Sequence, residues 1–487
     1  MSQSHSAQRR HFIANAGKGL AVVGGVIGSG GVFAVSTPDA DPAQVDPLAP
    51  KPTHHPAKAK AVIWLHQAGA PSTIDLFDHK PELIRLHGQD VPASFLQGVQ
   101  VNTQGGAGKL FASKRTWKAY GQSGKLVSDL LPHLARHVDD IAFIHNSQTV
   151  GATHDISTIK LNTGALSPGR PTLGAWVQYA LGSNNADLPA YIVLSNGGRG
   201  LESGSVHYSA GFLPAVYQGI PLQLGDTPIL YLDRPELLAA KQQRGALDFL
   251  KRFNQAHAQR YPGDSELRAR VEAYELAYRM QGTVPAVVDI GKETAATRTA
   301  YGIGTTAEEQ ATNDYGTNLL RARRLVENGV RFVQVVSGQA GKYRDWDAHE
   351  DLEGNHAAQA RMVDKPVAAL LADLKARGLL DSTIVVWTSE FGRTSYGQSG
   401  SGRDHNPWGY TQWLAGGGFK GGISHGQTDE IGLKSVGQAG NTVDTYDLHA
   451  TVLHQLGLNH LKTTYLNNGR SERPTVVWGR VVHDVIA

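Results

Sequence analysis

The chain contains no cysteine. That absence removes disulfides, thiolate metal sites and cysteine nucleophiles together. It also lacks any run of lysine and arginine interleaved with aromatics. Its formal charge of +3 over 487 residues is near balance, so nothing points to nucleic acid as a partner. A long apolar run is missing as well. The one apolar stretch near the N-terminus is glycine-rich and interrupted, a poor spanning helix, and the mature chain is expected to have no stable membrane span. No internal repeat is visible. The length allows one large α/β domain or two to three smaller ones.

What is present begins with "QRRHFIANAGKGLAVVGGVIGSGGVFA". Arg9 and Arg10, then Phe12, then a weakly apolar segment read as a twin-arginine export signal over residues 1–40, cleaved between about Ala34 and Ala43. A periplasmic or secreted protein is expected. Residues 41–59, "DPAQVDPLAPKPTHHPAKA", are rich in proline and predict an unstructured linker. Residues 60–487 form the body.

Short β-branched, apolar runs recur along the body: Lys60 to His66, Asp139 to Asn146, Pro189 to Ser195, Val330 to Gly338 and Ser382 to Glu390. Each predicts a buried strand. Helical patterns lie between them, in "KLVSDLLPHLARH", "HDISTIKLNTG", "TLGAWVQYALG", "YGTNLLRARRLVENG" and "NHAAQARMVDKPVAALLADLKARG", and "DTYDLHATVLHQLG" closes the body. The alternation predicts an α/β fold, a largely parallel sheet with helices on both faces. Residues 234–304 read as a helical insertion.

Residues of ligand type recur at the ends of four strands. His66, Ser72, Asp75 and Asp78 follow the first. Thr153, His154 and Asp155 follow the second. Asp345, Asp347 and His349 follow the fourth. Glu390, Arg403, Asp404 and His405 follow the fifth. In a parallel sheet these ends share one edge, where ligands bind. Carboxylates and imidazoles together suit a divalent cation such as zinc, manganese or magnesium.

Several motifs resemble a known family: "GAPSTIDLFDHKP", "TGALSPGRPTLGAWVQYALG", "LPAYIVLS", "WDAH", "LLADLKARGLLDSTIVVWTSEFGRT", "GRDHNPWG" and "DLHATVLHQLG". They look like the secreted bacterial family known as domain of unknown function 1501, which is grouped with the alkaline phosphatase and sulfatase superfamily. The resemblance implies an alkaline-phosphatase-like fold. It implies metal ligands at Asp347, His349, Glu390 and His405, with zinc or manganese as the ion. It puts His154 at the nucleophile position with Thr153 beside it, and Phe391 where the superfamily has histidine. No serine, threonine or cysteine falls cleanly at that position, and the paired aspartates of a second ion are missing after the first strand, so one ion, or a rearranged site, fits the ligands better than the usual two-metal centre. A formylglycine sulfatase is excluded by the absence of cysteine. In "SEFGRT", Gly392 is expected to permit a sharp turn, and Arg393 either to hold a substrate oxyanion or to pair with a site carboxylate. Ser72, Asp75, Asp155 and Arg403 are the substrate-binding candidates. Two functions follow: an exported metal-dependent hydrolase of a phosphate or sulfate ester, or an exported binding or assembly protein that keeps the fold without turnover.

Overall fold

A computed structural model describes residues 46–487 apart from 102–105, 198–203, 226–227, 230–231, 233, 235–238, 262–264, 305, 307–308 and 438–440. The twin-arginine segment lies outside the described residues.

The strands that build the central sheet and the hairpin beside it are β1 (Ala61–His66), β2 (Ile141–Gln148), β3 (Tyr191–Ser195), β4 (Ile220–Leu222), β5 (Phe332–Val336), β6 (Thr383–Thr388), β7 (Gly392–Gln398), β8 (Gly402–Asn406), β9 (Tyr410–Ala415), β10 (Ile423–His425) and β11 (Val443–Asp444). β7 and β8 pair with each other as a hairpin. The other nine form the central sheet in the order β10-β2-β9-β6-β1-β5-β3-β4, with β11 also on β2. Its pairs are parallel except where β9 runs against β2 and β6. The α/β class and the largely parallel sheet expected from the sequence are found. The strand β9 is an addition to the expected set: after β6 the chain folds into the β7–β8 hairpin and returns directly, which a parallel strand, needing a long crossover, cannot do.

Helices α1 (His154–Thr163), α2 (Leu173–Leu181), α3 (Ala240–Arg260), α4 (Ser265–Val288), α5 (Gln310–Glu327), α6 (Leu352–Ala376) and α7 (Thr445–Gln455) complete the frame. Every residue of β1, β5 and β6 is buried, as a sheet covered on both faces requires. Alternation divides them. Ile63, Leu65, Val335 and Trp387 pack with α5 and α6 residues such as Leu319 and Leu370. Val62, Trp64 and Val386 face the other way, onto Leu161 of α1, Val177 of α2, and Leu448 and Val452 of α7.

Two local expectations are corrected. "KLVSDLLPHLARH" is not a helix. Lys125–Ser128 is a strand paired with Trp117–Tyr120, and only Leu134–Asp140 turns, as a 3-10 helix. Pro132 between them removes a helix donor and clashes with the preceding turn. Gly392 does not adopt a left-handed backbone; a Cβ there would meet Tyr410 Cβ at 2.6 Å, so close packing is what it serves. The described part of the linker has no helix or strand, yet it is tied down: the N–H groups of Lys51, His54, Lys58 and Ala59 donate to the carbonyls of Leu181, Gly457 and Gln455. Within residues 234–304, α4 contributes Leu276, Met280 and Val284 to the core, and α3 packs chiefly on α4.

Register brings the site loops together. His66 of β1 pairs with Thr388 of β6 and Val336 of β5. Three chain segments therefore leave the sheet at one level and meet within a few residues.

Candidate metal centre

The loop after β5 carries Asp347 and His349, β8 carries His405, and α1 begins at His154 directly beyond β2. One ligand atom from each of these four lies within 4.8 Å of all the others. Asp347 Oδ1 is the hub. It stands 3.3 Å from His154 Nε2, 3.1 Å from His349 Nε2 and 3.5 Å from His405 Nε2. An ion with bonds of about 2.0–2.1 Å to nitrogen and oxygen, as zinc makes, has tetrahedral edges of about 3.3–3.4 Å. The three separations match such edges.

The rings are aimed by what holds their other nitrogens. His154 Nδ1 donates to Glu390 Oε1 at 2.7 Å, His405 Nδ1 to the Ala152 carbonyl at 2.7 Å and His349 Nδ1 to Gln398 Oε1 at 2.5 Å. A nitrogen facing an acceptor carries the hydrogen, so in each neutral ring Nε2 keeps the lone pair. His154 Nε2 and His405 Nε2 are buried, and each faces Asp347 Oδ1. Imidazole nitrogens converging on a carboxylate are satisfied by protons on the rings or by a cation bound in place of those protons. The donor set, three imidazoles and one carboxylate, fits zinc, with each ring braced by an acceptor as metal-binding histidines are.

With no ion bound, the carboxylates draw protons onto two of the rings, and an ion would take the place of those protons. Burial disfavours a charged His154, but hydrogen bonds to Asp347 and Glu390 outweigh it and raise its pKa to about 9. His349 is also raised, chiefly by Asp347. His405 goes the other way, to about 4, because burial dominates. Burial opposes the charge of Asp347 too, yet three histidines and the Arg393 guanidinium hold its carboxyl far below the usual range. The side chains of His349 and His154 are 36% and 23% exposed against 9% for Asp347, so the cluster opens to solvent on their side.

Glu390, expected among the ligands, sits behind them. Its oxygens accept from His154 Nδ1, from His66 Nε2 at 3.0 Å, from the Gly69 N–H at 2.8 Å and from Ser389 Oγ at 2.8 Å. Gly69 is needed there: its φ is +94° and a Cβ would meet the Trp346 and Asp347 nitrogens at 2.6 Å. Arg393 has no face toward solvent. It donates to the carbonyls of Gly69, Ala70 and Arg403 and, at 2.5 Å, to Asp347 Oδ1, so of its two expected roles it fills the carboxylate pairing.

Three of the substrate-binding candidates are likewise internal. Ser72 Oγ donates to Asp75 Oδ2 at 2.5 Å, Arg403 Nε donates to the same oxygen at 2.9 Å, and all three residues are buried. Asp155 and Thr153 are exposed at the start of α1. Thr153 makes no capping bond to the helix; its hydroxyl bonds the Asp155 carboxylate, which that bond and the Ile156 N–H hold low. Sequence reasoning missed Gln398, a lone glutamine on a hairpin strand with no motif around it. It also missed Glu390's service to His154, which only the meeting of β6 with α1 reveals.

Residues 59–486 match the family described as "Protein of unknown function (DUF1501)". No curated protein matches the sequence. Among solved structures, the chain is similar to a phosphonate monoester hydrolase from Silicibacter pomeroyi, with 13% identity, a TM-score of 0.33 and coverage of 72% of this chain and 71% of that one. It is similar to a sulfatase from Pseudoalteromonas sp., with 13% identity, a TM-score of 0.33 and coverage of 82% and 68%. It is similar to the alkaline phosphatase of the Antarctic bacterium TAB5, with 11% identity, a TM-score of 0.29 and coverage of 75% and 94%. At these scores the likenesses carry no argument about this chain's activity.

Proposed function

The chain belongs to the DUF1501 family, and from that premise we propose that it is an exported hydrolase of a phosphate or sulfate ester, working with one divalent ion held by His154, Asp347, His349 and His405. The observation that carries the ion is the convergence of three Nε2 atoms on Asp347 Oδ1 at 3.1–3.5 Å. Zinc is the first choice and manganese the second. The substrate class rests on the resemblance of the motifs to the alkaline phosphatase and sulfatase superfamily. Export to the periplasm rests on Arg9 and Arg10.

A divalent ion supplies Lewis acidity toward an ester oxygen or a water. The chain's own residues do the rest. Glu390 and Gln398 fix two imidazoles, and Arg393 keeps Asp347 ionised and oriented. His154 is committed at both nitrogens and is not free to attack. The exposed hydroxyl next to it is Thr153, bonded to the ionised Asp155. In this step the Thr153 oxygen bonds to the phosphorus or sulfur as the ester P–O or S–O bond breaks, the Thr153 proton passes to Asp155 and on to the departing alcohol, and water then cleaves the Thr153 ester to release phosphate or sulfate; the N-terminus of α1 favours the anionic group.

Four protein ligands also complete a tetrahedron, the arrangement of structural rather than catalytic zinc. That favours a second reading, an exported binding or assembly protein stabilised by its ion. Metal analysis together with a panel of aryl phosphates and sulfates separates the two. Metal with turnover that Thr153→Ala and Asp155→Asn reduce supports the hydrolase; metal without turnover on any ester supports the second reading.

A further inference from the structure

The outer face of α3 takes no part in the metal centre. Phe249 and Phe253 lie one turn apart, stacked with ring centroids 6.3 Å from each other, and are 62% and 63% exposed. Tyr261, just past the helix end, is 57% exposed. Lys241, Arg252 and Arg260 are exposed as well. At about 100° per residue, these three cations and the two phenylalanines share one arc of roughly 120°, and no carboxylate falls inside it. Asp248, at its border, is tied by Arg244 at 2.8 Å. The helix carries five basic side chains against that single acid, an excess larger than the +3 of the whole chain.

The opposite side of α3 is anchored. Asn254 is buried there, and Arg244 reaches Glu275 of α4 at 2.7 Å. α4 in turn sits in the core through Leu276, Met280 and Val284. The aromatic pair is thus presented on a fixed helix 21 residues long. Among the described residues no helix is long and apolar enough to cross a membrane, so contact with a bilayer would be interfacial.

We propose that this face docks the protein on an anionic phospholipid surface, with Phe249 and Phe253 entering the interface and Lys241, Arg252 and Arg260 meeting lipid phosphates. Basic helices with exposed aromatic side chains bind in this way. Charge complementarity selects the occupant: each cation near an anionic leaflet strengthens partitioning about fivefold, whereas a second copy of α3 would meet this face with the same positive sign.

The test is sedimentation of the purified protein with vesicles of phosphatidylglycerol mixed with phosphatidylcholine, and with phosphatidylcholine alone. The expected result is binding to the anionic vesicles only, weakened by salt. Lys241→Glu with Arg252→Glu, and separately Phe249→Ser with Phe253→Ser, should each lower the partition coefficient at least about tenfold. Melting temperature and metal content should stay unchanged in both variants, because every substituted residue is exposed and outside the site. Failure to sediment with anionic vesicles, or equal sedimentation of the variants, overturns the proposal. So does a vesicle-free dimer that the phenylalanine variant converts to monomer, which would assign the face to a second copy of the chain.

Discussion

Glu390→Gln is the perturbation that separates a residue that aims a ligand from a ligand. The carboxylate is buried and collects four donors, two histidines, one backbone N–H and one hydroxyl. A glutamine can keep its oxygen on His154 Nδ1 and the Gly69 N–H. Its amide then faces His66 and Ser389. His66 can move its hydrogen to Nδ1, which has no partner in the native arrangement, and Ser389 can donate to the Gln67 carbonyl at 2.7 Å. The fold should therefore lose no more than the net value of one or two hydrogen bonds to a charged group, about 1.5–3 kcal/mol each. The ion site loses more specifically, because the charge that makes His154 a stronger donor is gone. Removing such a brace typically weakens metal affinity about 10–100-fold, or about 1.4–2.8 kcal/mol. The assay is competition with a chromophoric chelator, with His405→Ala as the reference for a lost ligand. Affinity equal to the parent would refute the bracing role. Loss as complete as in His405→Ala would show that Glu390 binds the ion itself.

Arg393→Met removes the buried guanidinium that pairs with the Asp347 carboxylate at 2.5 Å. Breaking such a buried pair should cost about 3–5 kcal/mol, and melting with and without chelator should show the loss to be larger in metal-free protein. Acid should destabilise the fold through buried neutral histidines: burial lowers His449 from 6.5 to about 4, and His145 and His356 from 6.5 to about 3. Below pH 6.5 the unfolded chain binds protons that the folded chain refuses, so stability is complete above that pH and falls as pH drops, by about 1.4 kcal/mol per pH unit for each group. His449→Gln keeps a donor for the Leu161 carbonyl, 2.9 Å from Nε2, and should flatten denaturant-measured stability against pH by one group's share. Replacing Arg9 and Arg10 by lysine should hold the protein in the cytoplasm by fractionation; unchanged delivery would contradict twin-arginine export.

Much of the frame was legible because the physics that fixes it is local. Short, β-branched runs such as "AVIWL" and "TIVVW" read as strands buried on both faces by their length and residue type, and helices between them favour parallel pairing. That reasoning brings Asp347, His349 and His405 to one edge with His154. Legibility ended where a residue's role depends on what approaches it from elsewhere. Glu390 has the right type and place for a ligand, but His154 arrives between it and the cluster. Arg393 has the chemistry of an anion clamp, yet the β7–β8 hairpin folds it inward onto Asp347. Pro132 was a readable signal against the helix drawn through it. The tethering of residues 46–59 was not readable, since backbone donors bonded to distant carbonyls leave no mark in composition.

The central claim is a single ion in a four-residue cage, and metal stoichiometry tests it most directly. Elemental analysis of the protein purified without added chelator should give one zinc or manganese per chain, and His405→Ala and Asp347→Asn should each lose it while remaining folded by circular dichroism. Two ions per chain, or one ion retained at full affinity in both variants, would contradict the account.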